Sequence, residues 1–207
     1  MPPKFKFTKD EMIAAAVSVV RERGVESLRA KDIAEKLGVS TQPVFTCFST
    51  MAEAKREVYF AAERIYESYV EKGLSERIPF YGFGTAYIKF AEKEPELYKL
   101  LFLTPSEETG GGAHTAMLSM SDKVIPSLQK TYNLSFAEAE RFYRDMWIVV
   151  HSVATLSVTE NRIFSAEEIS KILTGFSMAV LKAIKEIGGF ISGDFDRDEV
   201  FNKIINE

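Results

Sequence analysis

Cysteine is almost absent. The 207 residues contain one, Cys47, so no disulfide forms within the chain, and with no CxxC pair or Cys/His cluster no metal site is expected. This usage fits a reducing, cytoplasmic setting. Long apolar runs are missing as well: no stretch approaches the roughly 18 consecutive apolar residues of a membrane span. The opening MPPKFKFTKDEM is charged where a signal peptide carries an apolar core. The expectation is a soluble, cytoplasmic protein with no membrane association. Signatures of catalysis are also lacking, with no glycine-rich phosphate loop, no nucleophile elbow and no carboxylate–histidine helix motif of a di-iron bundle. The carboxylates of EKEPE and EEIS read as solvated faces, and no catalytic residue, cofactor or metal ligand is assigned.

What is present is a large apolar fraction, 46%, enough to bury a substantial core. The net charge of −4 is placed unevenly. Residues 1–60 carry ten Lys/Arg against eight Asp/Glu, a balance of +2, and the remainder sums to −6. A basic N-terminal module on an acidic body suits a chain of which one end approaches phosphates.

Apolar residues recur at helical spacing almost throughout, and no run alternates with the period of a strand. The expected fold is all-α, about nine or ten helices. Four hydroxyl–carboxylate pairs at capping-box spacing mark helix starts: Thr8 with Glu11, Thr50 with Glu53, Ser135 with Glu138, and Ser165 with Glu168. A first helix over 9–23 buries Ile13, Ala16, Val17 and Val20 and stops at Gly24 in a left-handed conformation. A second over 31–37 turns Ile33, Ala34 and Leu37 inward and ends at Gly38. Val39 and Ser40 make a turn, Ser40 caps a third helix over 41–47, and Pro43 sits in its first turn where a missing N–H costs nothing. Longer helices follow over 51–72, 80–92, 95–103, 113–131, 136–158 and 166–187, then a short amphipathic tail. Pro126 is expected to bend the helix over 113–131 or to delay its start. The polar, glycine-rich segment 104–112 is expected to be a mobile loop.

Two short helices joined by a three-residue turn at Gly38 form a helix-turn-helix pattern, with the second as the DNA reader. Residues 12–55, with RERG, DIAEKLGVS and the aromatic pair Phe45 and Phe48, resemble the N-terminal domain of the TetR family of transcriptional regulators. The resemblance implies a three-helix DNA-binding domain over 1–50. Residues 51–207 would then form a helical ligand-sensing and dimerisation domain. It further implies a homodimer on a palindromic double-stranded operator, paired mainly through the last two long helices, and a small-molecule effector. Base edges would be read by Thr41 and Gln42, since Gln bonds adenine bidentately and Thr touches the thymine methyl. Phe45 and Thr46 are further DNA-binding candidates, and a solvated helix end is the alternative for Thr41 and Gln42. Arg29 and Lys31 at the start of the second helix, with Lys4, Lys6 and Lys9 of the N-terminal arm, would grip phosphate. A disordered solubilising arm is the alternative for Lys4 and Lys6. Three positions depart from the family, which commonly has Tyr at Phe45, His at Cys47 and Lys at Met51. Their absence removes a hydroxyl, an imidazole and an ammonium from the backbone grip. Cys47 itself reads as a small packing residue, with no adjacent cation to activate it.

The second half is similar to a subfamily of sensor domains with a Trp-His-Gly signature, through FAEKEPELYKLLF (90–102) and WIVVHS (147–152), with Ser152 in place of the Gly. Tyr143, Trp147 and His151 recur four apart on one helix face. With Phe83, Tyr87, Phe90, Tyr98, Phe102, Met117 and Met120 they line a candidate pocket for an apolar or aromatic effector. Ordinary core packing is the alternative for each of these residues, and a satisfied buried histidine is the alternative for His151. At the level of the whole protein, two further readings stay open: a TetR-like ligand- or partner-binding protein with weakened DNA binding, and a helical enzyme that no motif supports.

Overall fold

The computed structural model describes residues 7–104, 112–160 and 164–206. Among them there is no strand. The helices are α1 Lys9–Arg23, α2 Ala30–Leu37, α3 Gln42–Cys47, α4 Met51–Leu74, α5 Pro79–Lys93 and α6 Pro95–Tyr98, followed by α7 Ala113–Tyr132, α8 Phe136–Thr159, α9 Ala166–Glu186 and α10 Arg197–Asn206. The chain divides into two compact units, one of residues 1–71 and 89–116 and one of 72–88 and 117–207. Lys4, Lys6 and most of the glycine-rich segment, residues 105–111, lie outside the described residues.

In the first unit α1 starts at a reciprocal cap: Thr8 Oγ1 accepts from the Glu11 amide at 3.2 Å, and the Thr8 amide donates to Glu11 Oε2 at 2.7 Å. The helix buries Met12, Ala15 and Val19 besides the four expected residues. The stripe is wide because α2, α3 and α6 all pack on it. Gly24 ends it at φ 77°, ψ 161° rather than in the left-handed helical region, because the chain leaves extended into a 3-10 turn, Val25–Ser27. The expected helix over 95–103 divides into α6 and a π-helical turn, Lys99–Leu103, where the Thr104 hydroxyl donates to the Lys99 carbonyl at 3.0 Å.

In the second unit the last turn of α4 meets the first turn of α5 backbone to backbone. A Cβ on Gly82 would sit 2.0 Å from the Gly73 carbonyl oxygen, so no side chain fits. Helix α7 runs through Pro126 without starting late, held by buried Val124, Ile125 and Leu128 on either side of the missing donor. Ser135 and Ser165 cap α8 and α9 with Glu138 and Glu168 as their spacing predicts. Helix α8 buries Ala139, Phe142, Tyr143, Met146, Trp147, Val150, Val153 and Ala154 along one face. Helix α9 packs on it but buries only Leu173 and Ile184, and α10 buries nothing.

Candidate functional site

The helix-turn-helix is built by local closures. Gly38 takes φ 63°, ψ 39°, which lets its amide reach the Glu35 carbonyl and the Val39 amide reach Ala34, the Schellman closure that ends α2. Ser40 does not cap α3. Thr41 holds that place in a helical conformation, and its carbonyl accepts from Val44 and Phe45 at 3.1 and 3.2 Å with no side-chain cap. Val44 and Phe48 are fully buried and anchor the inner face. Thr41, Gln42, Phe45 and Thr46 are left exposed, and at positions i, i+1, i+4 and i+5 they share one outer face. The Thr46 hydroxyl donates to the Gln42 carbonyl at 2.9 Å, so its proton is already used.

The cations of this head differ in their freedom. Lys9 donates to Glu57 at 2.6 Å, Arg23 to Asp32 at 2.9 Å, and Lys36 to Glu22. The Lys9 ammonium is held above its ordinary range chiefly by the Glu57 hydrogen bond. Arg29, at the N-cap of α2, and Lys31 in its first turn are exposed and form no ion pair among the described residues. At the departures, Phe45 is 53% exposed while Cys47 and Met51 are half-buried. Burial pushes the Cys47 thiol up more than nearby Lys9 pulls it down, which favours the neutral thiol. That Lys9 neighbour was not visible from the local sequence.

The ten candidate pocket residues fall into separate groups. In the second unit, Trp147 and His151 stack with centroids 4.6 Å apart and planes 9° from parallel. Tyr87 stands edge-on to both, at 6.0 and 6.2 Å, and its hydroxyl shares a 2.9 Å hydrogen bond with His151 Nδ1. Phe83 reaches Tyr87 and Tyr143 at 6.3 and 6.0 Å, and the Tyr143 hydroxyl donates to the Met117 carbonyl at 2.7 Å. Burial lowers the His151 pKa and raises that of Tyr143, favouring the neutral form of each. Met120 is buried on α7. Phe90, Tyr98 and Phe102 instead join Tyr66 in the first unit, with Tyr66–Phe102 at 5.2 Å and Tyr98–Phe102 at 4.8 Å. Sequence reasoning missed Tyr66, and also Thr155, whose hydroxyl lies 3.5 Å from His151 Nε2. Thr155 stands one helical turn beyond His151 and could have been found from it, whereas Tyr66 lies on α4, where no pocket residue was assigned. Sequence reasoning also missed a groove of about 600 Å³ between the end of α9 and α10, lined among others by Ala179, Lys182, Ala183, Glu186, Val200 and Lys203.

No family model and no curated protein sequence matches the chain. Solved structures do. The fold is that of TetR-family regulators: a tetR-family transcriptional regulator from Streptomyces coelicolor aligns over 96% of both chains with a TM-score of 0.67 at 16% identity. TetR-Q116A from Acinetobacter baumannii, solved in complex with minocycline, covers 86% of this chain and 95% of its own, with a TM-score of 0.52 and 20% identity. NalD, the secondary repressor of the MexAB-OprM multidrug efflux pump in Pseudomonas aeruginosa, covers 83% and 94%, with 0.53 and 14%. At these identities the likeness is one of fold.

Proposed function

We propose that the chain is a non-enzymatic TetR-type transcriptional repressor, cytoplasmic and homodimeric, that binds a palindromic operator and responds to a small apolar or aromatic effector. The observation that carries the reading is α3, anchored by Val44 and Phe48 and presenting Thr41, Gln42, Phe45 and Thr46 together on its outer face. Residues 1–50 are the DNA head in this reading, Arg29 and Lys31 grip phosphate with Lys4 and Lys6, and residues 51–207 sense and dimerise. Exposed Ile148 and Leu156 on α8, with Phe176 and Met178 on α9, support pairing of copies through the two long helices. The Trp147–His151 stack supports membership of the Trp-His-Gly subfamily, and the aromatic groups around it support an apolar effector.

A second reading, a ligand- or partner-binding protein with a weakened head, is favoured by one observation. Phe45, Cys47 and Met51 put two apolar side chains and a thiol favoured in its neutral form where the family commonly offers phosphate contacts. Selection from random duplexes by the full chain decides between them. The repressor enriches a palindrome whose affinity falls steeply with salt. A pool with no enriched sequence is the outcome of the weakened head.

A further inference from the structure

We propose that the indole N–H of Trp147 reads the ligand, and that the ligand is a neutral, largely apolar molecule with a single well-placed hydrogen-bond acceptor, such as an aryl ketone or quinone oxygen. The inference rests on the effector-sensing role proposed above.

Trp147 is the only tryptophan in the chain and is 5% exposed. Its Nε1 is buried without a hydrogen-bond partner among the described residues. Leaving a buried donor unmade costs free energy that a phenylalanine in the same place avoids. The nearby polar groups are spent on each other. Tyr87 holds His151 Nδ1, Thr155 lies against its Nε2, and Tyr143 donates to the Met117 carbonyl. The indole is also held in place, with His151 flat against it and Tyr87 edge-on at 76°. A donor that is buried, held in place and unpaired among the described residues is preorganised for an acceptor brought from outside.

The surroundings set the charge of that molecule. Phe83, Tyr87, Tyr143 and His151 make up the cluster, and none of them carries a fixed charge. Burial keeps the imidazole neutral. A carboxylate arriving among these four side chains would lose its hydration with no cation from them to replace it, whereas a carbonyl gives up little and gains the indole hydrogen bond.

The lone tryptophan supplies the measurement, because a 15N-labelled sample shows a single indole N–H cross-peak. The full-length protein is titrated with matched pairs that differ by one acceptor: acetophenone and ethylbenzene, 1-tetralone and tetralin, 9-fluorenone and fluorene. Each ketone is expected to move the indole proton downfield and, by calorimetry, to bind about fivefold tighter than its hydrocarbon, the worth of one net hydrogen bond. In Trp147→Phe the two members of each pair converge to within about twofold of one another, whatever affinity they then share. If that variant does not fold, the cross-peak of the unsubstituted protein decides alone. Equal binding within the pairs with a stationary cross-peak overturns the proposal and leaves the sensing role standing. A cross-peak already downfield and unmoved by any ketone marks water as the acceptor and also overturns it. Binding of none of the six compounds takes down the proposal and the apolar-effector reading together.

Discussion

Gly82→Ala tests the close approach of α4 and α5. The added Cβ would lie 2.0 Å from the Gly73 carbonyl oxygen, 2.9 Å from its carbon and 2.8 Å from Glu76 Cβ. Ordinary contact begins at 3.4 Å, so the two turns must part by about 1.4 Å, a gap set by the size of the buried contact. The carbonyl cannot swing aside freely, since the Glu76 amide donates to it at 3.1 Å. The first turns of α5 also carry Phe80 and Phe83, 3% and 0% exposed, which move with the helix. Overpacking of this kind costs about 1–3 kcal/mol. A backbone obstacle with two buried rings attached puts it at or above the upper end, offset by about 1 kcal/mol of helix propensity gained by alanine. A net loss of about 2–3 kcal/mol lowers Tm by roughly 5–10 °C in a chain of this size. Gly175→Ala is the contrast: nothing of the same chain stands within 4 Å of its Cβ, so where no second copy covers this part of α9 it should raise Tm by about 2 °C through helix propensity. Thermal unfolding followed by circular dichroism reads both. A Gly82→Ala variant as stable as the parent would mean that the two helices do not cross at that point.

Three further outcomes follow from the side chains described. Gln42→Ala should relax base preference at one position per half-site, and an unchanged selected-site logo would remove Gln42 from the reading surface. Met51→Lys should steepen the log-affinity against log-salt slope by about 0.9 without altering the preferred sequence, measured by anisotropy, with a few tenths of a kcal/mol of stability lost to the helix dipole. His151 has a depressed folded-state pKa, so below the unfolded value near 6.5 the unfolded chain binds the extra proton. Its contribution is therefore retained above about pH 6.5 and lost as pH falls toward the folded value. Urea midpoints of the parent and His151→Gln should accordingly fall less steeply with acid in the variant, and parallel curves would contradict the assignment.

Most helix starts were legible because a cap is a four-residue pattern. Thr8, Ser135 and Ser165 close their boxes as spaced. At Thr50 only half forms: its hydroxyl accepts from the Glu53 amide, but the Glu53 carboxylate takes the Ser49 amide instead, at 2.8 Å. The π-helical turn at Lys99–Leu103 was not legible, since nothing in KLLFL separates one hydrogen-bond register from the next. Periodicity places Phe83, Tyr87 and Phe90 near one stripe of α5, and it does not say that the chain passes between compact units at residues 88 and 89. For the same reason Phe90 finds Tyr66, while Tyr87 finds His151 some 64 residues away. A pattern along one helix names the face that is buried, and the partner of that face is a property of the whole fold.

In the first unit, Arg21 of α1 meets Glu94, just ahead of α6, through two parallel hydrogen bonds of 2.7 Å, from Nε and Nη2 to the two carboxylate oxygens. A single bond between two side chains is a swivel, but a planar fork on a planar carboxylate resists twisting as well as stretching. A few residues on, the Glu96 carboxylate rests against Gly24 at the other end of the same helical turn. Helix α1 and the segment around Pro95 are thus joined by a fork that fixes orientation as well as distance, and α1 in turn packs against α2 and α3, so the angle set at Glu94 is shared by all three helices.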